Sequence, residues 1–162
     1  MLSEAQIRRV WEGLFEAKVR ANYFAELSRK YQDRQSLATG LSVFFATGVV
    51  VTLLPSNPPL SFAISLLAAS VSLYSLVAQN STRALESADL YRRWDKMAAE
   101  YQGIWENVLA EDAAARLQAT DDKVREAGRS SVPLPANERS LLRWQEHVEQ
   151  ELATRWGEVI AA

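Results

Sequence analysis

The one histidine of the chain, His147, stands in RWQEHVEQEL with Glu151 four residues on. On a helix that spacing sets two metal-ligating side chains on one turn. A divalent site needs at least three protein ligands; no third partner accompanies this pair, and a solvated helix face is the simpler expectation. Carboxylates stand close together at Glu86/Asp89, Glu111/Asp112 and Asp121/Asp122, a grouping that general acid–base chemistry can use. Each pair lies in a charge-mixed stretch of the kind that solvates a helix surface. The absence of cysteine removes thiolate nucleophiles, disulfides and most zinc sites. No nucleophile elbow, phosphate loop or glycine-rich dinucleotide turn occurs. The expectation is a protein that is not an enzyme and uses no cofactor or metal.

A different chemistry is written in residues 61–79, SFAISLLAASVSLYSLVAQ. Ser61, Ser65, Ala68, Ser72, Ser75 and Gln79 recur at steps of four and three, the heptad rhythm that keeps residues on one helical face. Phe62, Ile64, Leu66, Leu67, Val71, Leu73, Leu76 and Val77 cover the rest with hydrocarbon. A small, mildly polar face has two uses. It lets helix backbones approach, with hydroxyls bonding across or back to their own helix, or it lines a water-filled pore when several copies assemble round an axis. The pattern leaves both open.

The elements that would position this face follow from where the charges are. The chain has 162 residues and a net charge of −2, yet residues 35–82, a block of 48 positions between Arg34 and Arg83, hold no Asp, Glu, Lys, Arg or His. Pro55, Pro58 and Pro59 break the block, since proline lacks an amide donor and cannot continue a helix. The two runs that remain, 35–54 and 60–79, would each be roughly 30 Å long as helices, about the thickness of a bilayer hydrocarbon core. A buried hairpin of a water-soluble bundle would be expected to carry a charged stripe; neither run has one. Two membrane spans joined by a short turn is the expectation. Neither run contains an intramembrane acid or base, the usual sign of a transporter or proton relay.

Basic residues near span ends stay on the cytoplasmic side. Lys18, Arg20, Arg29, Lys30 and Arg34 precede the first run, and Arg83, Arg92, Arg93 and Lys96 follow the second. Both termini are therefore expected in the cytoplasm. MLSEAQIRRVWEGLF begins with charges and lacks the leading apolar region of a secretory signal, so the first span is expected to direct its own insertion.

Before the block, Ile7, Trp11, Leu14, Ala17, Ala21, Phe24, Leu27 and Tyr31 recur at steps of three and four; after it, Leu85, Ala88, Tyr91, Trp94, Ala98, Tyr101, Trp105 and Val108 do the same. One helix is expected from about Ser3 into the first span, and a second from about Leu60 to near Glu126. Joined by a hairpin they must be antiparallel, burying their stripes in a cytoplasmic stalk. A further helix should open at the N-cap Asn137, with Leu141, Trp144, Val148, Leu152 and Trp156 on one face. The fold class is thus an all-α membrane protein: residues 1–126 form a two-span hairpin with its stalk, 127–136 a linker and 137–162 a C-terminal helix. The five tryptophans, all outside the spans, are expected in the stalk core.

The order of these parts carries a resemblance. AKVRANYFAELSRKYQDRQSLATGLSVFFATGVVVTLLP at 17–55 and ADLYRRW at 88–94, within TRALESADLYRRWDKMAAEY, resemble the SLATT family, two-transmembrane effector domains associated with bacterial nucleotidyltransferase and nucleotide-sensing conflict systems. The resemblance implies an effector of the bacterial inner membrane that homo-oligomerises, as a tetramer or larger, into a pore or ion channel. Gated by a nucleotide-derived ligand or a nucleotidyltransferase partner, it would depolarise the membrane and arrest growth in anti-phage defence. Two spans are too few to enclose a channel without self-association, which agrees. In such an assembly Phe44, Phe45 or Leu76 would form the apolar constriction that keeps a closed pore dewetted. Arg29, Lys30, Arg92, Arg93 and Lys96 could receive the nucleotide-type anion, since guanidinium groups fork onto phosphate; membrane-proximal cations also serve orientation and the anionic leaflet with no ligand at all. The competing expectation is a non-conducting membrane scaffold whose stalk recruits a cytoplasmic partner.

Overall fold

A computed structural model describes residues 2–46, 80–130, 134 and 137–160, together with 62, 66, 67, 69, 70, 73 and 74; for 45–46 and 156–160 the description is of backbone alone. The described residues are mostly helical, with no strand among them. Four helices follow in order: α1 (Glu4–Ala46), α2 (Asn80–Trp105), α3 (Ala113–Ser130) and α4 (Glu138–Ile160). The chain divides into two compact units, one of Met1–Glu26 with Ser87–Ala162 and the other of Leu27–Glu86.

In the first unit, α1 opens with a reciprocal cap. The Ser3 amide donates to Gln6 Oε1 at 2.8 Å and the Gln6 amide to Ser3 Oγ at 3.3 Å, satisfying two donors that a helix start leaves open. Val10, Leu14, Ala17, Ala21 and Phe24 are buried at steps of four and three. The Trp11 and Trp105 rings meet at 5.3 Å, Gly13 abuts the Tyr101 ring and the Arg20 guanidinium lies 4.9 Å over the Trp94 ring. Residue numbers fall on α2 as they rise on α1, so the two helices run antiparallel. Val19 and Tyr23 are also buried, because α4 covers a further side of α1. The Asn137 amide donates to Tyr23 Oη at 3.1 Å, the Trp144 indole donates to Glu26 at 2.7 Å, and Lys18 and Arg143 pair with Glu151 and Glu26. The C-terminal helix thus folds back on its own chain. Asn137 caps it, accepting the Ser140 amide at 3.3 Å, and among its described side chains Ser140, Val148 and Leu152 are buried.

Three expectations are corrected here. The second helix does not run to Glu126: α2 ends at Trp105, and 106–112 turn before α3 begins. Asn107 makes the stop, its side chain donating to the Gly103 carbonyl at 2.9 Å and its amide reaching Ile104 in a tighter turn, a local competitor that helix interiors tolerate poorly. The turn lets α3 fold back, burying Ala113, Leu117, Thr120, Asp121 and Ala127. Secondly, α3 continues through Ser130, so the expected linker at 127–136 begins inside it. Thirdly, the buried stripe of α2 starts one residue earlier than expected: Ala84, Ser87 and Leu90 are buried while Leu85 and Tyr91 are exposed. The tryptophans differ among themselves as well. Trp94 is buried, Trp11, Trp105 and Trp144 are half-buried, and the side chain of Trp156 lies outside the described residues.

Among the described residues of the second unit, Ser28, Tyr31, Ala38, Asn80 and Ala84 are buried. Ser28 Oγ donates to the Ala84 carbonyl at 3.2 Å, so α1 and α2 meet there with small residues facing. Backbones that close leave no room for Leu85, which turns outward. Among the described residues no helix is long and apolar enough to cross a membrane. Only 35–46 of the first expected span and seven residues of the second are described.

Candidate functional site

The residues proposed from the sequence to carry function fall into three groups. The small-residue face, Ser61, Ser65, Ala68, Ser72, Ser75 and Gln79, lies outside the described residues, as does Leu76 of the expected constriction. Phe44 stands 56% exposed on α1; Phe45 follows it on the same helix. Arg29 and Lys30 are exposed on α1 in the second unit, and Arg92, Arg93 and Lys96 are exposed on α2 in the first. Arg93 is engaged one turn back by Asp89 at 2.8 Å. His147 is exposed with its ring edge-on to Trp144 at 5.5 Å, while Glu151 is committed to Lys18. Among the described residues no three metal-ligating side chains cluster.

Within the charge-free block the large apolar side chains that are described share one property. Leu37, Leu41, Val43 and Phe44 on α1, and Phe62, Leu66, Leu67, Leu73 and Tyr74 beyond it, are large, apolar and 38–73% exposed. Two hydroxyls of the block are satisfied within their own helix: Ser42 Oγ donates to the Ala38 carbonyl at 2.9 Å and Ser70 Oγ to the Leu66 carbonyl at 2.8 Å. A hydroxyl that bonds four residues back within its own helix makes no demand on surrounding water. Nine exposed hydrocarbon side chains beside two internally satisfied hydroxyls form a surface that makes little hydrogen-bonding demand.

A second constellation, unforeseen from the sequence, lies in the helical bundle of the first unit. Tyr101 Oη donates to Asp121 Oδ1 at 2.6 Å, and Arg9 pairs with Asp121 Oδ2 at 2.7 Å. One carboxylate therefore ties α1, α2 and α3 together through both oxygens. Burial first, and the Asp121 hydrogen bond second, push the Tyr101 phenol well above its ordinary value. An open cleft of about 220 Å³ lies beside this cluster, bordered by Glu12, Glu16, Val124 and Arg125. Four of its charged groups are paired: Arg9 with Asp121, Glu16 with Arg20 and Arg125 with Asp122, Arg20 and Asp122 themselves lying outside the cleft's lining. Asp121 and Asp122 thus have opposite roles, the first buried in the bundle and the second on its surface. The signal in the sequence was Gly13, a poor helix former in the middle of an apolar stripe, which marks a close approach by another side chain. Glu100 adds a parallel tie, accepting Lys123 Nζ at 2.7 Å and Thr120 Oγ1 at 3.2 Å.

No protein-family model, no curated protein and no solved structure matches this chain.

Proposed function

We propose that the chain is a membrane effector. The charge-free block enters lipid as a two-span hairpin, copies associate through it, and the helical bundle of the first unit receives the signal that opens a pore. The observation that carries the lipid part is the exposure of nine large apolar side chains, Leu37 to Tyr74, inside a block without charge. Burying such a side chain fully is worth roughly 1.5–3 kcal/mol. Half-exposed, nine of them forgo about 10 kcal/mol in water, as much as the net stability of an ordinary domain. Lipid removes that cost, and a block of 48 residues without charge suits lipid better than a soluble interface, whose rim is polar. The twelve described residues 35–46 supply roughly 18 Å of the ~30 Å required; the proposal assigns the remainder to 47–54.

The pore rests on the heptad face from Ser61 to Gln79 and on the resemblance to SLATT effectors. Four or more copies would turn that face inward, Phe44, Phe45 or Leu76 would hold the closed state dry, and opening would depolarise the bacterial inner membrane and arrest growth as a defence against phage. Both termini would lie in the cytoplasm, where a nucleotide-derived ligand or a nucleotidyltransferase partner could act. This role needs no catalysis by the chain itself.

The test is expression in a bacterium with membrane fractionation, a potential-sensitive dye and survivor counts. The chain should remain with alkali-washed membranes, depolarise them before growth stops, and lose that effect when Ser65→Leu and Ser72→Leu are combined. A double variant that assembles and kills at the parental rate refutes pore lining, and a chain released by alkali refutes membrane insertion. Loss of assembly alone, with membranes polarised throughout, would instead favour the scaffold.

A further inference from the structure

Beside the exposed leucines, α1 carries a crevice of about 290 Å³, at the small end of the roughly 300–1,000 Å³ range of ligand clefts. Arg34, Leu37, Ala38 and Leu41 form one wall, spaced so that they share a helical face, and Leu67, Ser70 and Tyr74 form the other. Resting on the membrane reading above, we propose that this crevice holds one anionic phospholipid, its phosphate on Arg34 and an acyl chain between Leu37, Leu41 and Leu67.

Five observations point to that occupant. Arg34 is the last cation before the 48-residue block, so an ion bound to it sits where the charged and apolar parts of the sequence meet. Among the described residues it is paired with no carboxylate, which leaves its fork for a ligand phosphate. The crevice itself makes almost no polar demand, because the Ser70 hydroxyl is spent on the Leu66 carbonyl at 2.8 Å. Ala38, 5% exposed, is its floor; a methyl there is what leaves the space open. Arg34 and Tyr74 are also the lining residues furthest in sequence from the prolines at 55–59, so both amphipathic tips fall toward the flanks where charges resume, the position of interfacial anchors. An apolar partner helix would match the leucines and leave Arg34 without a counter-charge; a phospholipid satisfies both ends.

The test places a reporter at the crevice, Tyr74→Trp in the full chain, reconstituted in vesicles of phosphatidylcholine and phosphatidylglycerol. Bromine on the acyl chains of one lipid and then of the other quenches the reporter, read as the difference from the parent's own tryptophans. Brominated phosphatidylglycerol should quench about five-fold more strongly per molecule than brominated phosphatidylcholine, the factor one interfacial cation supplies. Arg34→Gln should abolish the preference while leaving quenching itself, and Ala38→Phe should fill the crevice and weaken quenching by both lipids. Equal quenching by the two lipids, or a preference that survives Arg34→Gln, overturns the assignment while leaving membrane insertion intact. Emission shifted to the blue but unquenched, in vesicles the chain floats with, overturns it in favour of a second copy of the chain at the crevice. Failure to float with the vesicles overturns the membrane reading and the lipid site together.

Discussion

Replacing Gly13 by alanine should destabilise the bundle, although alanine is the better helix former. A Cβ at this position would lie 2.5, 2.7 and 2.9 Å from Cζ, Cε1 and Cε2 of Tyr101. Carbon atoms settle at about 3.5–4.0 Å, so the ring would have to withdraw by roughly 1 Å. It is poorly placed to do so: Tyr101 is 2% exposed, and its hydroxyl is held at 2.6 Å by Asp121, which Arg9 holds in turn. A withdrawal of that size takes the hydroxyl beyond hydrogen-bonding distance. Overpacking costs about 1–3 kcal/mol and a hydrogen bond to a charged group about 1.5–3 kcal/mol. Removing a glycine from a helix interior returns about 1 kcal/mol. The net expectation is a loss of about 2–4 kcal/mol, a fall in Tm of roughly 5–15 °C for a chain of this size. Thermal and urea unfolding of the full chain in detergent, followed by far-ultraviolet circular dichroism, would measure it. In a Tyr101→Leu background the penalty should shrink to zero or change sign, since no ring then occupies the space. A Gly13→Ala chain as stable as its parent would refute the argument, because the two helices would then have yielded without cost.

Two further outcomes follow from the same contacts. The Tyr101 phenol is raised by burial and by Asp121, so the folded chain holds its proton longer than the unfolded one; the contribution is complete below about pH 10 and is lost as pH rises further. Urea midpoints taken from about pH 9 to 11 should fall less steeply for Tyr101→Phe than for the parent, and parallel slopes would contradict this. Glu26→Ala removes the common acceptor of Arg143 and the Trp144 indole, so amides of α4 should exchange roughly ten- to a hundred-fold faster, for a local loss of about 1–3 kcal/mol. Amides near Tyr101 should keep their protection; equal acceleration throughout would mean that α4 does not open separately.

Much of the helical organisation is legible in residue types alone. The steps of three and four from Leu14 to Tyr31 announce α1, and Asn137 ahead of an apolar-periodic stretch announces α4, because a helix repeats every 3.6 residues and its first amides need an acceptor. The charge-free block and its prolines are properties of composition and are complete in the sequence. Tertiary structure decided which residues of each stripe face inward. Periodicity cannot separate Ala84 from Leu85 when both fit a rhythm of three and four, and hydrophobicity favours the larger; the close approach at Ser28 favours the smaller. The end of α2 at Trp105 depended on an asparagine side chain competing for a backbone carbonyl, a contest that propensity alone does not settle. Least legible was Asp121, indistinguishable in type and spacing from its neighbour Asp122. Only the folding back of α3 brings Arg9 and Tyr101 to it, and a carboxylate goes inside where both its oxygens find donors.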